Sequence, residues 1–140
     1  MEISIWKTAL EMNVMDLINE CDLAMLAAGA ERELLCEIEG FPIYAYSLLR
    51  SESERTVYLS AGMHGDEPAG PAAILELVKD GLLDSPCSWY ICPVLNPTGL
   101  AAGTRENSRG IDQNRDYLKK RTVEISSHAE WMSSKKIDFA

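Results

Sequence analysis

The stretch SAGMHGDEPAG, residues 60–70, follows an apolar run and places a histidine, an aspartate and a glutamate within four positions. His64 and Glu67 stand three positions apart, and neighbouring glycines let the backbone turn sharply enough to aim both side chains inward. An imidazole nitrogen and a carboxylate oxygen are both suitable zinc ligands. The stretch therefore predicts a tight turn, an acidic helix start, or half of a metal site.

The pair alone does not decide between these possibilities. A histidine and a glutamate three positions apart also arise by chance in a chain with 2 histidines and 22 acidic residues. A catalytic zinc centre further needs three protein ligands and a water molecule. The metal site therefore stays one hypothesis beside an ordinary turn.

The alternation of strand and helix patterns across the chain predicts a layered α/β sheet. The expected elements are one or two helices over 4–28, paired strands at 34–40 and 41–49, a strand at 56–63, a helix at 68–81, a strand at 88–97, a helix at 122–136 and the opening of another strand at 137–140. The run at 56–63 is nearly continuous in apolar residues, which is typical of an inner strand covered on both faces. Open α/β sheets bind ligands where strands end, so His64 and Glu67 are expected at that edge.

The polar segment 96–116 is the second candidate functional region, because long ordered loops in compact domains tend to carry function. It contains three arginines and three asparagines: Arg105, Arg109, Arg115, Asn96, Asn107 and Asn114. Arginine forks bind carboxylates and stabilise oxyanions, and asparagine adds neutral hydrogen bonds to the same anion. The alternative is a polar surface loop with incidental salt bridges.

Three motifs in one order, H-G-D-E at 64–67, N-P-x-G at 96–99 and R-x-N-x-x-G-x-D-x-N-R-D-Y at 105–117, resemble the zinc carboxypeptidase family of M14-type metallopeptidases. Its wider superfamily includes the succinylglutamate desuccinylases and aspartoacylases. The resemblance covers residues 57–117 well and the preceding strands loosely. It implies a three-layer α/β/α fold with a mixed central sheet, of the carboxypeptidase-like (phosphorylase/hydrolase-like) kind.

The resemblance also implies roles for individual side chains. His64 and Glu67 match the first two zinc ligands. Arg105 matches the arginine that polarises the scissile carbonyl and stabilises the oxyanion. Asn114 and Arg115 match the pair that binds the terminal carboxylate of the substrate. The implied chemistry is metal-assisted hydrolysis.

Other positions in the same region are expected to be structural or to lie on the surface. Gly110 and Asp112 are expected to shape the approach to the carboxylate-binding pair. His128 lies within a helical pattern and is expected on its solvated face rather than as a third ligand. Glu124 and Glu130 are expected to be surface acids of the same helix.

Residues 1–140 are expected to form a single domain that is incomplete, because the family's third zinc ligand and general base have no matching positions. The leading hypothesis is a zinc-dependent, metallocarboxypeptidase-like hydrolase that cleaves a C-terminal amide bond of a peptide or acylated amino acid. An N-acyl amino acid deacylase of the desuccinylase or aspartoacylase kind is the alternative. A non-catalytic incomplete domain is the second alternative.

Composition bounds the partners and the compartment. A net charge of −9 argues against nucleic acid and anionic membranes as partners. The resemblance implies a peptide or a small amino-acid-derived substrate. No apolar run approaches the roughly 18 residues of a spanning helix, and the N-terminus lacks the pattern of a secretory signal. The expected location is the cytoplasm, where the four cysteines would be small buried hydrophobes. A half-formed sheet would expose an edge through which the chain could pair with a second copy.

Overall fold

Four strands form one mixed sheet in the computed structural model of this protein, which describes residues 9–140. The strands are β1 (Glu31–Ile38), β2 (Phe41–Leu48), β3 (Thr56–Ser60) and β4 (Ser88–Cys92). The helices are α1 (Val14–Ala27), α2 (Ala69–Lys79), α3 (Pro97–Ala102) and α4 (Val123–Met132), with 3-10 turns at Leu82–Asp84 and Gln113–Arg115. None of these helices is long and apolar enough to cross a membrane. Positions 4–8 of the first predicted helix lie outside the described residues.

The strand order β1-β2-β4-β3 places β3 beside β4, so the two candidate functional segments, which follow these strands, leave the sheet at the same end. β1 pairs antiparallel with β2, β2 antiparallel with β4, and β3 parallel with β4. Because β3 and β4 run in the same direction, the chain leaves both at the same end. Backbone hydrogen bonds from Ala61 N to Cys92 O and from Leu95 N to Ala61 O, both 3.1 Å, join the two exits.

Helices cover both faces of the sheet, which confirms the predicted three-layer α/β/α architecture. Side chains along β4 alternate between the faces. Trp89 and Ile91 pack in a cluster with side chains of α1 and α2. Tyr90 points the other way and meets Trp131 of α4 edge to face, with ring centroids 5.7 Å apart.

The strand predicted at 56–63 is β3, which comes last in the order of the four strands that the described residues form, with β4 on one side and residues 138–139 on the other. All its residues are half-buried. On its outer side Tyr58 N donates to Phe139 O at 2.8 Å, and Val57 forms a single bridge with Phe139. The expected strand opening at 137–140 is therefore present as one bridge. An apolar run indicates that both faces of a strand are covered. It does not indicate whether the strand has a hydrogen-bonded neighbour on each side.

The segment 96–116, predicted as one long loop, contains α3 and the second 3-10 turn. Pro97 occupies the start of α3, where its missing N–H is not needed. The side chain of Asn96 accepts a hydrogen bond from Gly99 N at 2.9 Å and so caps the helix. These local signals favour a short helix immediately after the strand.

The cysteines lie largely inside the protein, and all four are free thiols. Cys21 and Cys92 are buried, whereas Cys36 and Cys87 are half-buried. Burial raises the pKa of Cys21 to about 12 and raises that of Cys92 as well. These two thiols therefore behave as small core hydrophobes.

Candidate functional site

His64 lies in the loop that follows β3, and close packing against α3 holds this loop in place. Gly65, its neighbour, rests directly on the backbone of Gly99 in α3, where an added Cβ would overlap the Gly99 carbonyl group. Only glycine permits two backbones to approach this closely. The His64 side chain is 12% exposed, so the loop presents it from a largely buried position.

The buried side chain of Asn96 ties this loop to the polar segment. Its Nδ2 donates to Met63 O at 3.2 Å and to Arg105 O at 3.4 Å. Asn96 has no exposed surface, so both interactions are shielded from water. One side chain at the end of β4 therefore fixes the backbone beside His64 relative to the backbone of Arg105.

The spacing between His64 and Glu67 fits two neighbouring ligands of one zinc ion. His64 Nδ1 lies 3.4 Å from Glu67 Oε1. Ligand atoms about 2.0–2.1 Å from a tetrahedral zinc are roughly 3.3 Å apart. Within residues 9–140 no group of three or more His, Cys, Asp or Glu residues could hold a metal. The pair therefore offers two candidate donors, one fewer than the three protein ligands of a catalytic zinc centre.

Asp112 contacts the second ring nitrogen of His64, with Oδ1 3.2 Å from Nε2. Burial alone would raise the pKa of the Asp112 carboxyl, but hydrogen bonds from Arg105 and His64 outweigh it and hold the pKa below its ordinary value. Asp112 is therefore an anion that faces the imidazole. A carboxylate in this position orients a metal-binding histidine and selects its tautomer.

The Asp112 carboxylate also contacts Arg105 and Arg115, the two arginines with predicted roles. Asp112 Oδ2 lies 3.1 Å from Arg105 Nε and 3.6 Å from Arg115 Nε. Arg115 is 80% exposed, and the side chain of Asn114 is also exposed, while Asn114 N donates to Asp112 Oδ1 at 3.0 Å. The structure thus brings His64, Arg105 and Arg115 together around Asp112, to which sequence reasoning assigned a shaping role only.

His128 is buried, so its predicted position on a solvated helix face was wrong. It is 4% exposed, and its Nε2 and Nδ1 lie 2.6 Å from Tyr58 Oη and 2.9 Å from Tyr117 Oη. Burial lowers the pKa of His128 to about 4, so the ring is neutral at pH 7. Because tyrosine hydroxyls occupy both nitrogens, neither is directed at a metal.

Glu124 was also predicted on the surface, and it is only 1% exposed. Its Oε1 accepts a hydrogen bond from Asn107 Nδ2 at 3.1 Å. The same helix leaves Glu130 exposed, as expected. Helical spacing could have identified this face, because Ile125, His128 and Trp131 are three positions apart and all are buried.

Asp116 organises the turn that leads from Arg115 into α4. This fully buried carboxylate accepts from Thr122 N and Thr122 Oγ1, both at 2.9 Å, and from Arg121 N at 3.1 Å. Although burial raises the pKa of Asp116, these hydrogen bonds lower it to about 2. The turn is therefore held by a permanent negative charge.

Residues 53–137 match the family described as the succinylglutamate desuccinylase/aspartoacylase catalytic domain. No curated protein sequence matches the chain at a significant level.

Several solved structures share the fold. A proposed metallopeptidase from Shewanella denitrificans aligns with a TM-score of 0.74 and 25% identity, over 86% of this chain and 47% of its own. A proposed carboxypeptidase from Burkholderia mallei aligns with a TM-score of 0.70 and 23% identity, over 84% of this chain and 36% of its own. Bovine thrombin-activatable fibrinolysis inhibitor, in complex with tick carboxypeptidase inhibitor, aligns with a TM-score of 0.71 and 16% identity, over 87% of this chain and 55% of its own. The chain thus spans about half the length of these relatives or less.

Proposed function

The chain belongs to the succinylglutamate desuccinylase/aspartoacylase catalytic-domain family, and from this premise we propose that it is part of a zinc-dependent hydrolase of amide bonds that lie beside a carboxylate. One observation carries the proposal. Asp112 contacts His64 on one side and both Arg105 and Arg115 on the other. One candidate metal ligand and two side chains suited to anions therefore share one carboxylate.

Each residue of the proposed site has a role that its chemistry allows. His64 and Glu67 would hold the zinc, which when bound supplies Lewis-acid polarisation of a carbonyl group and makes water more acidic. Arg105 binds Asp112 through Nε, which leaves its terminal amino groups to donate to a developing oxyanion. Removal of one such donor typically raises the barrier by about 2.7–4 kcal/mol.

The substrate carboxylate is assigned to Asn114 and Arg115. Both side chains are exposed at the edge of the cluster, and a guanidinium can form two parallel hydrogen bonds to a carboxylate. The salt bridge from Asp112 to Arg115 is long, at 3.6 Å, and it leaves much of the guanidinium accessible. A substrate carboxylate bound here would place its neighbouring amide towards Arg105.

The favoured reaction is the deacylation of an N-acyl amino acid. The match to the desuccinylase/aspartoacylase catalytic domain supports this reaction, which the sequence motifs offered as the alternative to cleavage of peptides. Cleavage of a C-terminal peptide bond is the second candidate, which the names of the structural neighbours favour. For the isolated chain a non-catalytic state is the remaining alternative, because residues 9–140 supply two metal donors.

Turnover by the zinc-supplemented protein tests the proposal. N-succinyl and N-acetyl derivatives of acidic amino acids would be compared with N-blocked dipeptides, and release of the free amino acid would be measured. We expect deacylation to exceed peptide cleavage and Arg105→Ala to lower kcat about 100- to 1,000-fold. Arg109→Ala is the matched control and should keep the activity. Preferential dipeptide cleavage would reverse the order, and no turnover of either class would contradict catalysis by this chain alone.

A further inference from the structure

Asn107 is the centre of a tight turn between two residues of the site, Arg105 and Asp112. Its Oδ1 accepts hydrogen bonds from Arg109 N at 3.0 Å and Ile111 N at 3.1 Å. Its own backbone N donates to Ile111 O at 3.0 Å. The side chain is 4% exposed, so the turn folds around a buried amide.

Glu124 fixes the orientation of that amide from the other side. Its Oε1 accepts from Asn107 Nδ2 at 3.1 Å, across 17 positions of the chain. This hydrogen bond uses the NH2 end of the Asn107 amide, which therefore faces α4. The Oδ1 end is thereby directed at the two backbone N–H groups of the turn.

The two ends of this turn carry a pair of contacting site residues. Arg105 Nε and Asp112 Oδ2 are 3.1 Å apart at its two ends, and Asp112 Oδ1 extends from there to His64 Nε2. A turn that opened would separate Arg105 from Asp112 and weaken both contacts of the carboxylate.

We propose that Asn107 and Glu124 are positioning residues, whose buried hydrogen bond anchors the turn 107–111 to α4 and so holds Arg105 and Asp112 in place beside His64. The catalytic meaning of this anchor rests on the proposed function. The anchor itself rests on the geometry of the hydrogen bonds.

An exchange of the two functional groups tests the anchor. Asn107→Asp sets two carboxylates against each other, whereas Asn107→Asp combined with Glu124→Gln restores the hydrogen bond with donor and acceptor reversed. In the single variant we expect amide hydrogen exchange at Arg109 and Ile111 to become about tenfold faster, and the double variant to return to the native rate. The Arg105 Nε–H resonance should shift in the single variant and recover in the double. Unchanged exchange in the single variant, or no recovery in a folded double variant, would overturn the proposal.

Binding of succinate, used as a simple carboxylate probe, separates positioning from general stability. We expect its dissociation constant to rise about tenfold in Asn107→Asp and to recover in the double variant. Tyr46→Phe, which removes a hydrogen bond to Asp22 on the opposite face of the sheet, should leave succinate binding unchanged. If exchange responds while succinate affinity stays constant in all variants, the positioning role is wrong.

The two proposals can fail separately. If the native protein does not bind succinate, the carboxylate site of the proposed function fails, while amide exchange and the Arg105 resonance still decide the anchor. Should the double variant not fold, the anchor proposal fails, because the reversed hydrogen bond would then not substitute for the native one.

Discussion

Asp112 Oδ1 lies 3.2 Å from His64 Nε2, although the two residues are 48 positions apart in the chain. The other ring nitrogen, Nδ1, lies 3.4 Å from Glu67 Oε1. When Nε2 carries the proton and donates it to Asp112, Nδ1 keeps its lone pair towards Glu67. The Asp112 carboxylate thus selects the tautomer that a metal on the Glu67 side requires.

Removal of Asp112 should weaken zinc binding without removing a ligand. In Asp112→Ala the imidazole loses the partner that orients it, and loss of such a partner typically lowers metal affinity by about 10- to 100-fold. Competitive zinc titration against a chromophoric chelator measures the change. Asp66→Ala removes an exposed negative charge from the same loop and serves as the control. Equal weakening in both variants would attribute the effect to net charge instead.

The two histidines should differ sharply in zinc binding. His64→Ala removes a candidate ligand and should abolish tight binding, whereas His128→Gln should leave it intact because tyrosine hydroxyls occupy both ring nitrogens of His128. Zinc stoichiometry of the purified variants gives the answer. Loss of zinc in the His128 variant would make that residue a ligand and refute the assignment.

Stability should fall with acidification through the titration of His128. Its pKa is lowered to about 4 in the folded protein, while the unfolded chain has the ordinary value near 6.5. The unfolded state therefore binds the proton first, and stability that is fully present above pH 6.5 is lost as pH falls towards 4. The contribution is roughly 3 kcal/mol.

Denaturant unfolding between pH 7 and pH 4 measures this loss, with His128→Gln as the reference that lacks the titrating ring. The native protein should lose more stability than the variant over this interval. The lowered pKa of Asp116, about 2, places its own loss of stability below this range. Equal pH dependence in the two proteins would show that His128 is not buried as described.

The contact between Gly65 and Gly99 should make position 65 intolerant of a side chain. Gly65→Ala introduces a Cβ that overlaps the backbone of α3, and the free energy of unfolding should fall by about 1–3 kcal/mol or more. Gly70→Ala is the comparison variant, because the nearest atom to its Cβ would be the Ala61 Cβ at 3.1 Å, with no backbone atom closer than 4.0 Å. Urea unfolding of both variants should show a smaller loss of stability for position 70 than for position 65. A stable Gly65→Ala protein would mean that the His64 loop is not packed on α3.

Local patterns were sufficient to predict the order of the longer helices and strands, though not the short helix α3, and to place His64 and Glu67 in the loop after β3. Apolar periodicity depends on neighbours within one helix or strand, so it predicted a strand at 56–63, where the structure has Thr56–Ser60, and the helix that follows. Two residues at i and i+3 in a short loop must lie near each other whatever the rest of the chain does. The sequence by itself therefore determined one half of the candidate metal site.

Only the tertiary structure decided which residues from distant parts of the chain surround the candidate metal site. The contact of Asp112 with His64, the burial of Glu124 beneath Asn107 and the pairing of β3 with Phe139 all join segments that are far apart in the chain. Each depends on how helices and loops pack over the sheet. Periodicity within one element can indicate its buried face, but it does not identify the distant residue that packs there. Burial also reversed the expectation for His128, because α4 turns the face that holds this residue towards the sheet.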